Sequence, residues 1–497
     1  MRYNSTRDKA TKISGAQAIA EGIAPDGGLY VPESIPGLRD IGPLLGMDYQ
    51  SRAAYVMGLF LDEFTPAELL EFSRQAYAGN FDAPEIAPLR KIDDATHMLE
   101  LWHGPTSAFK DMALQVMPRL LTAALKKTGE EREVCILVAT SGDTGKAALE
   151  GFRDVPGTRI VVFYPRDGVS KVQEKQMTTQ EGANVFVSAV RGNFDDTQTG
   201  VKNIFADREF AKTLDGRGFF LSSANSINWG RLLPQIAYYV SAYCDFINSG
   251  GGKPGDFINF CVPTGNFGNI LAAWYAKQMG LPVNKLICAS NANNVLTEFI
   301  DTGIYDRNRE FYLTLSPSMD ILVSSNLERL LYNCAARSGI ADGDKLVAGY
   351  MKSLASDGRY EADSRIKEMI SSDFTAGYCG DEETKEQIGE TFRNKGYLLD
   401  THTAVALRVL GDYRKRTGDV TPTICVSTAS PYKFADSVLS ALGAEVPPTG
   451  AAQIARLTER SGVPSPAPLR DIDSRELRFG GWVEQEDMQE AVDEFLK

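Results

Sequence analysis

From about residue 96 onward, hydrophobic positions gather in short runs, each followed by small polar residues and then by a stretch with helical periodicity. This alternation predicts an α/β architecture of mainly parallel strands covered by helices, because a strand buried on both faces reads as a continuous apolar run. The runs at 134–138 (VCILV), 160–163 (IVVF), 257–262 (FINFCV) and 424–426 (ICV) predict buried strands. Helices are expected over 112–125, 147–152 and 270–279. The first ninety or so residues read mostly as amphipathic helix, with Asp26-Gly27-Gly28 turning into a short strand at 29–32. Residues 248–255 (NSGGGKPG) and 463–468 (VPSPAP) read as loose connectors, and there is no internal repeat.

At 497 residues the chain exceeds what one hydrophobic core usually organises, so two or three domains are expected. Its 52 basic against 65 acidic residues give a net charge of -13, which argues against nucleic acid as a partner. Cysteines at 135, 244, 261, 288, 334, 379 and 425 form no C-x-x-C spacing, a pattern that suits a reducing compartment. His97, His103 and His402 are too few and too separated for a zinc site, so no metal is expected. The N-terminus is polar and basic, and no apolar run reaches membrane-spanning length. A cytoplasmic protein with no membrane partner is the expectation.

Four segments carry candidate chemistry. In His103-Gly104-Pro105-Thr106-Ser107-Ala108-Phe109-Lys110-Asp111, a Gly-Pro turn leads into a helix that Thr106 or Ser107 could cap, with Lys110 in or near its first turn. A lysine charge opposes the helix dipole there, so the placement has no obvious stability reason, although a surface lysine beside Asp111 would look the same. Gly265, Asn266, Phe267, Gly268 and Asn269 lie between a strand and a helix, where backbone N–H groups can cradle a phosphate; a plain turn is the alternative. Thr140, Ser141, Gly142, Asp143, Thr144 and Gly145 occupy a second such junction and offer hydroxyls and N–H groups to a carboxylate. Lys146 follows, but Thr140 and Ala147 depart from the nucleotide phosphate-loop pattern. Ser427-Thr428-Ala429-Ser430-Pro431 forms the fourth. Loops at strand C-termini converge on one crevice in open α/β sheets, and a reactive lysine in that crevice completes a cofactor site.

These motifs resemble the threonine synthase family, within the fold-type II pyridoxal-phosphate enzymes that include tryptophan synthase β and threonine dehydratase. The resemblance covers most of the chain. It begins with Tyr3-Asn4-Ser5-Thr6-Arg7 and with residues 26–32, which the dehydratases lack, and runs through HGPTSAFKD, TSGDTG, PTGNFGN and STA in the family's order. It implies two open, twisted, mainly parallel sheets flanked by helices, plus a mostly helical N-terminal domain. The implied division is 1–95 for the N-terminal domain, 96–124 with 231–450 for a large cofactor domain, 125–230 for a small domain bearing the SGDTG loop, and 451–497 as a C-terminal extension.

By the same resemblance Lys110 holds pyridoxal 5'-phosphate as a Schiff base. The phosphate rests on residues 265–269, Thr428 offers its hydroxyl to the pyridine nitrogen, and Asp143 approaches the cofactor hydroxyl. Thr140, Ser141, Gly142 and Thr144 grip a substrate carboxylate. The implied substrate is O-phospho-L-homoserine, converted with water to L-threonine and phosphate, with Lys110 moving protons. Asn225, Ser226, Asn228 and Arg231 are candidates for the leaving phosphate, with Lys171 further off; a helix cap and a surface charge would explain the same residues. The wider family usually has Asn at position 143, and many threonine synthases have His where Ser430 stands. A phospho-lyase releasing phosphate and a keto acid, and a non-catalytic phosphometabolite-binding protein, are the competing functions. A monomer or homodimer is expected.

Overall fold

The computed structural model describes residues 1–470 and 472–497. Two parallel sheets dominate it. The larger has six strands in the spatial order Phe374–Tyr378, Val283–Ser290, Ile258–Pro263, Thr423–Ser427, Thr96–Glu100, Leu89–Lys91. All pairs are parallel except the edge strand Leu89–Lys91. The smaller has five parallel strands in the order Trp482–Val483, Val185–Val190, Thr158–Pro165, Glu133–Ala139, Phe219–Ser222. Three of the four apolar runs lie wholly within these strands; of 257–262, Phe257 falls outside and is exposed, whereas every residue of Ile258–Pro263 is buried. Among the described residues no helix is long and apolar enough to cross a membrane.

The N-terminal region combines the helices Gly15–Glu21, Tyr49–Phe60 and Pro66–Tyr77 with a small antiparallel sheet of Arg2–Ser5, Ile13–Ser14 and Tyr30–Pro32. It is pinned to the long helix Trp229–Asn248 by aromatic packing. Trp229 lies 5.5 Å from the Tyr3 ring and 5.6 Å from Phe60. Arg52, buried, adds an ion pair to Asp245 at 2.6 Å.

Three expectations need correction. The helix expected over 112–125 is two pieces, Asp111–Leu114 and Met117–Thr128. Pro118 has no N–H to bond the Leu114 carbonyl, and its ring would crowd that oxygen. Gly151 occupies the freed space: a Cβ there would lie 2.0 Å from the Leu114 carbonyl oxygen. The helix expected from 147 starts at Asp143, so the SGDTG loop itself opens the helix Asp143–Phe152.

The division of domains also differs. The boundary at 124/125 falls inside the helix Met117–Thr128, and the small sheet begins at Glu133. Residues 451–497 are no separate extension. The helix Gly450–Ser461 packs on Ala435–Ala441 of the large domain. Trp482–Val483 then joins the edge of the small sheet, and Met488, Val492 and Leu496 enter that domain's core. Without this pairing, Val185–Val190 would be the open edge of the small sheet. Replacing Met488 with Ala is expected to cost about 2–5 kcal/mol, the usual range for truncating a buried side chain. Hydrogen exchange should show the loss concentrated in the small domain, with the large sheet keeping its protection.

Candidate functional site

The four chemistry-bearing loops meet at the C-terminal ends of both sheets. Phe109 N–H donates to the Thr428 carbonyl at 2.7 Å, and Ser430 N–H to the Ser107 carbonyl at 3.0 Å, so the lysine loop and the STA loop are zipped together. Lys110 sits at the N-cap position of Asp111–Leu114 with no side-chain cap. Thr106 does not cap that helix; its N–H and hydroxyl instead donate to the Asp111 carboxylate at 2.8 and 2.7 Å. Burial pushes the Asp111 carboxyl up to about 6 despite those bonds.

The Lys110 ammonium is buried. Its Nζ lies 3.5 Å from Asp143 Oδ2 and 3.3 Å from Ser318 Oγ. Burial lowers its pKa; Asp143 opposes the shift, and the nearby cations Lys433 and Arg231 reinforce it. Asp143 feels the same cations as attraction: although burial works against its ionised form, Lys433 and Lys110 hold its carboxyl far below the usual range.

In the SGDTG loop the roles divide. Thr140 Oγ1 accepts from the Gly142 and Gly145 N–H groups at 3.0 and 2.8 Å, so Thr140 shapes the loop and consumes the Gly142 donor expected for substrate. Gly142 has φ 125° and lies against Gln173, which a Cβ would strike at 2.5 Å. Ser141 and Thr144 stay half-buried, and among the described residues their hydroxyls make no hydrogen bond.

Gly265 to Asn269 form a tight junction ahead of the helix Gly268–Gln278. Phe267 adopts the left-handed region at φ 64°, uncommon for a bulky residue and a mark of strain held by its surroundings. A Cβ on Gly265 would meet the Ser318 carbonyl oxygen at 2.6 Å. Asn269 Oδ1 accepts from the Tyr238 and Tyr239 hydroxyls at 2.5 and 2.6 Å, while its Nδ2 is buried with no partner among the described residues. An orphaned buried amide at the N-terminus of a helix is what a phosphate oxygen would satisfy, so these residues fit pyridoxal phosphate. Thr428 is buried, and its hydroxyl makes no hydrogen bond among the described residues.

Of the residues suggested for a second phosphate, Arg231 enters the site and two others do not. Arg231 is buried, donates Nη1 to the Ala224 carbonyl at 2.7 Å, and leaves Nε with no partner among the described residues. Among the described residues it has no ion-pair partner, and burial pushes its pKa down to about 10. Asn228 is a structural cap: its Oδ1 accepts from Gly230 N–H and its Nδ2 donates to the Ile19 carbonyl. Lys171 is exposed and paired with Glu174 at 3.2 Å. Ser226 accepts from Asn326 Nδ2 at 3.1 Å beside Gly268, and Asn225 is half-buried next to it.

Models of known families match nearly the whole chain. Threonine synthase N terminus matches residues 2–77, pyridoxal-phosphate dependent enzyme 88–429, and threonine synthase, C-terminal, 403–482. Threonine synthase of Pseudomonas aeruginosa is 41% identical over 93% of this chain and 94% of its own length. The chain belongs to the threonine synthase family. Pyridoxal phosphate is the cofactor of this family, and the crystal structure of PLP-bound threonine synthase from Brucella melitensis superposes with a TM-score of 0.87 at 36% identity, covering 100% of both chains. Threonine synthase-like 1 of Homo sapiens is 42% identical over 93% of this chain, which spans 63% of that protein's length.

Several site residues had no sequence motif to announce them. Lys433 is fully buried, donating to Asp143 Oδ1 at 2.9 Å and to the Thr106 carbonyl at 2.8 Å. Its one hint was a lysine between Tyr432 and Phe434, directly after the STA loop. Ser318 and Gln173 come from segments remote in sequence. His402 Nε2 accepts from the Ser318 N–H at 3.1 Å, which fixes the strap that carries Ser318.

His103 anchors the start of the lysine loop. Its ring nitrogens meet Asp82 Oδ1 at 2.6 Å and Glu100 Oε2 at 3.0 Å. Burial alone would lower its pKa, but the two carboxylates win and hold it at about 9. The folded value lies above the ordinary ~6.5 of an unfolded histidine. Its stabilisation is therefore complete below about pH 6.5 and is lost as pH rises through about 9. In urea unfolding, the stability gap between the protein and its His103→Gln variant should shrink steadily from pH 6 to pH 9.5.

Proposed function

We propose that this protein converts O-phospho-L-homoserine and water to L-threonine and phosphate in the cytoplasm. The observation that carries the reading is that the crevice holds two separate buried donor atoms that have no acceptor among the described residues. One is Asn269 Nδ2 in the 265–269 junction, and the other is Nε of Arg231, whose Nη1 is already held by the Ala224 carbonyl. Two anionic groups, one on the cofactor and one on the substrate, account for both. The seven cysteines are buried and free, which fits a reducing compartment.

Pyridoxal phosphate, when bound, supplies an electron sink for the pair left on the substrate's α-carbon after deprotonation. The residues of the chain do the rest. Lys110 would hold the cofactor and, once displaced by the substrate amine, act as the base. Its burial favours the neutral amine that a base requires. Asn269 and the N–H groups of the helix start would take the cofactor phosphate, and the Thr428 hydroxyl would meet the ring nitrogen. Ser141 and Thr144, with first-turn N–H groups of Asp143–Phe152, would hold the substrate carboxylate. Asp143 fixes the small domain over Lys110. Arg231, with Ser226 and Asn225 nearby, would bind the substrate phosphate and stabilise it as it leaves.

Incubation of the purified protein with O-phospho-L-homoserine should release threonine and phosphate in equal amounts. Recovery of 2-oxobutyrate in place of threonine would make it a phospho-lyase, and no turnover would leave a binding protein. Hydrogen bonds to charged groups contribute about 1.5–3 kcal/mol, so Arg231→Ala should raise KM for the phosphorylated substrate roughly ten- to a hundredfold. Cofactor content, read from visible absorbance, should stay near that of the unmodified protein; unchanged KM would remove Arg231 from the site.

A further inference from the structure

Lys433 is a fully buried lysine to which the reading above assigns no part. Its ammonium and its backbone carbonyl together tie the 431–434 turn to three other segments. Nζ donates to Asp143 Oδ1 of the small domain at 2.9 Å and to the Thr106 carbonyl of the lysine loop at 2.8 Å, and its own carbonyl accepts from Ser170 Oγ at 3.1 Å. Ser430 builds the short turn Pro431–Phe434 that presents it, accepting from Tyr432 N–H and bonding Lys433 N–H through its carbonyl. Burying an ammonium is costly, and a methionine would pack this turn without the penalty. The charge therefore calls for a reason.

Asp143 supplies it. Its two oxygens are unequally shared. Oδ1 takes Lys433 at 2.9 Å and Gln173 Nε2 at 2.8 Å, whereas Oδ2 faces Lys110 at 3.5 Å. A carboxylate with Lys110 as its sole cation would close on that amine and hold it as an ammonium. We propose that Lys433 is a positioning residue that engages the Asp143 carboxylate and keeps it from capturing the Lys110 amine, leaving that amine free to lose its proton and react. This rests on the reading that Lys110 carries the cofactor. Joining the amine nitrogen to the cofactor's aldehyde carbon expels the aldehyde oxygen as water. The attack needs the nitrogen lone pair, so the ammonium proton must first pass to solvent.

The charged groups facing Lys110 are Asp143 from the small domain, Lys433 from the 431–434 turn and Arg231 from the long helix. Asp111, next in sequence, points its carboxylate at Thr106, and His402 stands behind Ser318. Removing the Lys433 charge takes away a repulsion and frees an attraction, and both changes stabilise the Lys110 ammonium. The test is the pH profile of adduct formation. Full-length protein stripped of cofactor is given pyridoxal phosphate at a series of pH values, reduced with borohydride after a fixed short interval, and the modified Lys110 peptide is quantified by mass spectrometry.

Lys433→Gln, which keeps a hydrogen-bond donor but not the charge, should move the midpoint up by about one pH unit or more. Lys433→Arg should overlay the unsubstituted profile. Asp143→Asn should move the midpoint down, and Asp143→Asn with Lys433→Gln should cancel the upward shift. A Lys433→Gln profile coincident with the unsubstituted one overturns the proposal, as does an upward shift that persists in the double variant. Absence of any Lys110 adduct in the unsubstituted protein would instead overturn the assignment of Lys110 itself.

Discussion

Asp143 shares its carboxylate between two buried lysines from the other domain, and the rest of the site is arranged around that contact. Its charge lowers the cost of placing Lys110 and Lys433 out of water, and their charges in turn keep it ionised. The pairing crosses from the first turn of a small-domain helix to the lysine loop and the 431–434 turn of the large domain. The relative placement of the two sheets is thereby written into the electrostatics of the site. Within it, Arg231 Nε and the Asn269 amide are buried donors that have no partner among the described residues.

The supporting structure is mostly backbone and uncharged. Thr140, Thr403, Ser430 and Asn228 spend their polar atoms on loop shape, accepting N–H groups that would otherwise be orphaned. Gly265 and Gly151 are small because carbonyl oxygens approach them too closely for a Cβ. Among the described residues this division leaves few polar groups of the site uncommitted, among them the Ser141, Thr144 and Thr428 hydroxyls, Arg231 Nε and the Asn269 amide. Rigid elements behind each one limit its freedom, which favours a pre-organised site.

Much of this could be read from the chain. The apolar runs located the strands because parallel strands buried on both faces leave no polar positions to blur the pattern. The small-residue junctions stood out because a backbone that must approach an anion tolerates few side chains. What periodicity misjudged was local: Pro118 split one helix, and Gly142 at φ 125° let another begin early. The candidate list mixed free groups with structural ones, since Asn228 and Thr140 look from sequence like any other polar residue beside a motif.

The sequence by itself determined the α/β class, the candidate lysine and the loops around it, because each depends on residues adjacent in the chain. Only the tertiary structure decided that Lys433 and Ser318 face Lys110, that residues 482–497 complete the small domain, and that Arg231 is buried with no counter-charge among the described residues. These facts follow from strand order and from contacts between segments hundreds of residues apart, and burial of a charge is a property of its surroundings that a residue type does not encode.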